Sequence, residues 1–184
     1  MMPGSCIAAM SGKDVEMAKV KTLEDLFLDT LKDIYYAERK ILKALPKMKR
    51  AATDEKLAAA FEKHHTETEE QIERLQQVFE ILGKAARGKT CDAIEGITSE
   101  AEEIMDDYKG SPALDAGLIS AAQAVEHYEI TRYGTLHRWA KELGMNDAAK
   151  LLNETLQQEW KTDEDLTKLA DATVNDAAQT SEDA

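Results

Sequence analysis

The sequence predicts an all-α fold, a four-helix bundle with a short fifth helix crossing between its second and third long helices. Three observations predict it. Ala, Leu, Glu, Lys and Gln are abundant, while only nine Gly and three Pro occur in 184 residues, a composition that favours helix and argues against an all-β fold. Apolar residues recur at spacings of three and four over long stretches. Helix start and stop signals fall where they leave short turns between the first and second and between the third and fourth of these stretches. The length suits one domain with a sizeable core.

Residues 1–20 mix Pro3, Gly4, Gly12 and scattered charge without a sustained period, which predicts a flexible N-terminal arm. Helix A follows, over about 22–51. Thr22 and Asp25 form a capping-box-like start, and Leu23, Phe27, Leu31, Ile34, Ile41, Leu42 and Leu45 form its apolar stripe. Pro46 lies inside it and predicts a bend, since proline removes a backbone donor and crowds the preceding turn. Thr53, Asp54 and Glu55 open helix B, whose stripe of Leu57, Phe61, Ile72, Leu75, Phe79 and Leu82 runs to a stop at Gly83 or Gly88. A connector helix between Gly88 and Gly110 aligns Ile94, Ile97, Ala101, Ile104 and Tyr108 on one face. Ser111 and Pro112 read as N-cap and first helical position of helix C, which passes through Leu118, Ala122, Val125 and Leu136 to Gly144. Asn146 or Asp147 is the expected cap of helix D, with Leu152, Leu156, Leu166, Leu169 and Val174 on its stripe. The domain is thus expected over 21–175, with a flexible tail over 176–184. Two hairpins joined by a helical passage place B and C parallel, which is the ferritin-like arrangement.

The charge balance of 23 Lys and Arg against 36 Asp and Glu gives −13, which repels a phosphate backbone and makes cations the natural small partners. Nucleic acid is not expected to bind. Cys6 and Cys91 show no CxxC pairing, which suits a reducing compartment. No apolar run is long enough to span a membrane, and Ile7 to Met10 is too short for a signal-peptide core, so the expected address is cytoplasmic.

The informative residues are those whose type contradicts their position. On helix A, Glu38 sits between Ile34 and Ile41 on the apolar face. On helix B, His64, Glu67 and Gln71 follow Phe61 at helical spacing, replacing two turns of core. Helix C carries Glu126 and Glu129 beside Val125, and helix D carries Glu159 and Asp163 after Leu156. A buried ionised carboxylate costs several kcal/mol unless compensated, and several at one depth repel one another. A pair of divalent cations resolves this conflict. Oxygen donors with an imidazole suit iron or manganese, and bundle di-metal sites draw a carboxylate from each helix. Glu38, His64, Glu67, Glu126, Glu129, Glu159 and Asp163 are the candidate ligands of two iron or manganese ions. The rival reading pairs these acids with buried cations, for which Arg39, Arg74 and Arg132 are placed. Tyr35 and Tyr128 lie beside the acidic band and read first as packed aromatics.

With these residues in view, the chain resembles the YciE/YciF family of bacterial ferritin-like proteins over about 22–175. The resemblance rests on Thr22-Leu23-Glu24-Asp25-Leu26-Phe27, Ile34-Tyr35-Tyr36-Ala37-Glu38, His64-His65-Thr66-Glu67-Thr68, Val125-Glu126-His127-Tyr128-Glu129-Ile130, and Thr155-Leu156-Gln157-Gln158-Glu159 through Thr162-Asp163. It implies a di-metal bundle, stress-associated expression and a homodimer. The wider superfamily, which includes rubrerythrins and manganese catalases, carries Glu-x-x-His on two helices. This chain departs from that pattern, reading His64-x-x-Glu67 on helix B and Glu159-x-x-x-Asp163 on helix D. The expected function is a stress-response protein that reduces peroxide or dioxygen at a metal pair. The alternatives are non-catalytic metal binding or sequestration, and a structural bundle.

Overall fold

The computed structural model describes residues 20–179. Within them the order is α1 (Leu23–Ala51), α2 (Glu55–Ile81), α3 (Asp92–Asp107), α4 (Leu114–Glu142) and α5 (Asn146–Leu169). A π-helical turn at Ala170–Val174 and the short α6 (Asn175–Ala178) continue α5. No strand occurs among the described residues. The expected arm lies outside them apart from its last residue, and the helical course passes the expected domain end at 175 to reach Ala178.

The first helix begins as its sequence dictates. The Thr22 hydroxyl accepts from the Asp25 amide at 3.3 Å, and the Asp25 carboxylate accepts from the Thr22 amide at 2.9 Å, a complete capping box. Asp54 caps α2 by accepting from the Lys56 and Leu57 amides, and Gly83 closes that end in the left-handed region at φ +63°. Three expectations are corrected. α4 starts at Leu114, because Ser111 and Pro112 form a preceding turn in which the Ser111 hydroxyl accepts from the Ala113 amide. Neither Asn146 nor Asp147 caps α5: both are already helical, and Met145 holds the cap position without a side-chain bond. Tyr108 is exposed: it follows the last residue of α3 as its C-cap, while Ile104 and Met105 in the preceding turn pack on the core.

Paired contacts give the helix directions. Glu38 meets Tyr133 and Thr53 meets Asp115, so α1 and α4 run antiparallel. Gln71 meets Gln158 and Arg74 meets Thr155, so α2 and α5 do the same. Since the short 52–54 turn makes α1 and α2 antiparallel, α2 and α4 are parallel, and the bundle is ferritin-like. α3 bridges them across α1 and α4, tied to α1 by Tyr36 and Lys40 on Glu95 and by Lys47 on Glu102. Its first turn is reached by a loop that packs so closely on α1 that a Cβ at Gly88 would come within 3.1 Å of the Tyr36 Cβ. The core runs the length of the four helices, from Phe27, Leu31 and Phe79 at one end to Leu57, Phe61 and Leu118 at the other.

Candidate metal centre

At mid-length the apolar core gives way to acid. Glu38 on α1, His64 on α2, Glu126 and Glu129 on α4, and Glu159 on α5 are all buried, four of them at 0% exposure and His64 at 3%. One potential ligand atom from each of His64, Glu126, Glu129 and Glu159 lies within 4.8 Å of the other three. His64 Nδ1 is 3.1 Å from Glu126 Oε1, and its Nε2 is 4.0 Å from Glu159 Oε2. Glu38 joins the group from the α1 side, accepting a hydrogen bond on Oε1 from the wholly buried Tyr133 hydroxyl.

Hydrogen bonding leaves this cluster unsatisfied. Both carboxylate oxygens of Glu126, Glu129 and Glu159, together with Glu38 Oε2 and His64 Nε2, are buried without a hydrogen-bond partner. Folded proteins rarely tolerate such groups, because each forfeits its water without replacement. Among the described residues no Lys or Arg lies within ion-pair distance of Glu38, Glu126, Glu129 or Glu159. The cations proposed for that role are engaged elsewhere. Arg74 donates to Thr155, Gln158 and Glu70, while Arg39 and Arg132 lie over the rings of Tyr35 and Tyr128. The donor set, oxygen-rich with one imidazole, fits a divalent cation better than it fits an empty core.

The electrostatics agree with that fit. Burial lifts the Glu38 carboxyl to about 7 and that of Glu126 to about 8. Burial first, then the neighbouring carboxylates, hold Glu129 and Glu159 well above the usual range. His64 is pushed down to about 4 by burial, with Lys63 and His65 adding to it, so its ring is neutral near pH 7 and offers a lone pair.

Glu67 and Asp163 lie at the edge. Glu67 has a half-sheltered side chain with Oε1 3.1 Å from Lys63 Nζ and Oε2 buried without a partner. Asp163 accepts from Gln123 Nε2 at 3.0 Å and lies 3.3 Å from His127 Nε2. Tyr133 and Gln71 complete the surroundings. Tyr133 lies four residues after Glu129 on the same face, a spacing present in the sequence but not singled out there. Gln71 is fully buried with Oε1 unpartnered. Tyr35 packs edge-on to Phe79, and the Tyr128 hydroxyl lies 3.1 Å from Cys91 Sγ, the packing roles expected of them.

Residues 22–179 match the family described as a domain of unknown function, DUF892. The chain belongs to this family. Among its relatives, protein YciF of Escherichia coli K12 is 48% identical over 162 residues, covering 87% of this chain and 97% of the relative. The crystal structure of the E. coli stress protein YciF superposes with a TM-score of 0.81 at 47% identity, over 85% of this chain and 99% of that one. YcfI of Rhodopseudomonas palustris, described as a candidate structural protein, superposes with a TM-score of 0.78 at 46% identity, over 82% and 96%. A Xanthomonas campestris protein at 22% identity shares the fold, with a TM-score of 0.63 over 84% and 94%. The family resemblance read from the motifs and the ferritin-like bundle therefore stand together. No helix among the described residues is long and apolar enough to cross a membrane.

Proposed function

We propose that this DUF892 protein is a cytoplasmic stress-response protein, a homodimer, whose buried cluster holds two iron or manganese ions and reduces peroxide or dioxygen there. The observation that carries the metal reading is the set of six unpartnered oxygens on Glu126, Glu129 and Glu159 beside a neutral His64. Glu38, His64, Glu126, Glu129 and Glu159 would hold the ions, with Glu67 and Asp163 adjoining them. When bound, the metals supply the redox chemistry. The chain's own residues set the conditions: Tyr133 orients the Glu38 carboxylate through its hydrogen bond, and the surrounding core keeps bulk water out. The likeness to the E. coli stress protein supports the stress assignment.

Protein purified without chelator is expected to contain about two iron or manganese per chain by metal analysis, with anomalous scattering centred among the five inner residues. Peroxide consumption by the loaded form then separates turnover from sequestration. The structural reading is favoured only by the description of YcfI, and a metal-free protein that resists loading would uphold it.

A further inference from the structure

The five inner residues are sealed, none more than 3% exposed, so a hydrated cation cannot reach them unless oxygen donors replace its water in stages. Two partly exposed carboxylates lie one helical turn from residues of the cluster. Glu67 follows His64 by one turn of α2, and its side chain is 19% exposed. Its Oε1 faces outward to Lys63 Nζ at 3.1 Å, on a side chain 55% exposed, while its Oε2 is buried and unpartnered. Asp163 follows Glu159 by one turn of α5, and its side chain is 17% exposed. It is held by Gln123, which also donates to Thr167, and by His127, which is 68% exposed. Glu67 and Asp163 thus sit one helical turn beyond His64 and Glu159 on α2 and α5, two helices that pack against each other.

We propose that Glu67 and Asp163 are transfer carboxylates, through which divalent cations pass between solvent and the buried cluster, with Lys63 and His127 as exchangeable counter-groups at the mouth. This rests on the cluster being a metal centre. An arriving cation competes with the Lys63 ammonium for Glu67 and with His127 for Asp163. Both counter-groups are exposed, so they leave at little cost: the Lys63 ion pair is a weak surface pair, and His127 makes only a surface contact. The inner, unpartnered oxygen of Glu67 then offers the next donor on the way to Glu126 and Glu159.

The test uses the full-length apo protein with Co2+ as probe, its visible absorption followed after rapid mixing, and release into excess chelator followed in the same way. Glu67→Gln and Asp163→Asn keep shape at partly exposed positions, and circular dichroism checks that helicity is unchanged. Each is expected to slow both loading and release by about tenfold, the equivalent of one lost interaction in the barrier, with final stoichiometry and affinity nearly unchanged. Lys63→Gln is expected to speed loading. Lost stoichiometry with unaltered rates would make Glu67 and Asp163 permanent ligands and overturn the proposal, as would unaltered rates in all three variants. A wild-type protein that takes up no Co2+, Mn2+ or Fe2+ would overturn the metal reading itself, an outcome distinct from the kinetic one.

Discussion

Glu129 and Glu159 hold the sharpest conflict between residue type and position, since each is fully buried and neither finds a hydrogen-bond donor. Replacing both by Gln keeps the shape and removes two mutually repelling groups. The metal-free double variant is therefore expected to unfold at a higher denaturant midpoint than its metal-free parent while losing tight metal binding. Had each acid been held by a buried Arg or Lys, the same change would strand a cation and cost roughly 3 to 5 kcal/mol, so a markedly lower midpoint would sink the assignment. Tyr133→Phe tests the neighbouring bond. Burial raises the Glu38 carboxyl and the Tyr133 hydroxyl lowers it, leaving it at about 7, so removing the hydroxyl should raise that value, read by NMR titration of the labelled carboxyl carbon. At this scale the sequence was informative because an acid on an apolar stripe has few explanations. It could not separate the inner Glu126 from the rim residue Asp163, because both occur one turn from an apolar residue and only the packing of α2, α4 and α5 decides how deep each side chain ends.

Among the elements, those with a strong local signal were legible and those set by tertiary contacts were not. The Thr22 capping box and the Asp54 cap follow from hydrogen bonds within a few residues. The starts of α4 and α5 depend on how the chain meets the rest of the bundle, and there Ser111, Asn146 and Asp147 misled. Asp115 was likewise invisible as a fixing point. In the first turn of α4 it accepts from the Thr53 amide at 2.9 Å, the Asp54 amide at 2.8 Å and the Thr53 hydroxyl, tying the turn between α1 and α2 to α4. These are hydrogen bonds to a buried charge, and their loss strands two amides. Asp115→Ala is expected to lower stability by roughly 2 to 4 kcal/mol without altering metal stoichiometry, which chemical denaturation and metal analysis of the same sample would check. A parallel loss of metal would mean that the hairpin's placement, and not the ligands alone, shapes the centre.

For the whole molecule, a net charge of −13 together with an acid cluster at the centre makes pH the natural variable. The raised carboxyls of Glu38 and Glu126, at about 7 and about 8, take up protons more readily folded than unfolded. Their contribution to apo stability is complete below the ordinary carboxylate value of 4.5 and is lost as pH rises through 7 and 8. His64 acts in the other sense: its value falls from 6.5 to about 4, so its contribution is present above 6.5 and lost as pH falls through 4. The two oppose one another at acid pH, but above 6.5 only the carboxyls change, and the apo protein is expected to weaken steadily from there to pH 8. Divalent cations reverse this, because they bind the deprotonated carboxylates and the neutral imidazole that higher pH supplies. The gap between metal-loaded and apo denaturant midpoints should therefore widen from pH 5 to pH 8, measured with Mn2+ in excess and with chelator. A gap of equal size across that range would place the stabilising cations on the acidic surface, away from the buried carboxylates, since exposed acids are already ionised throughout it.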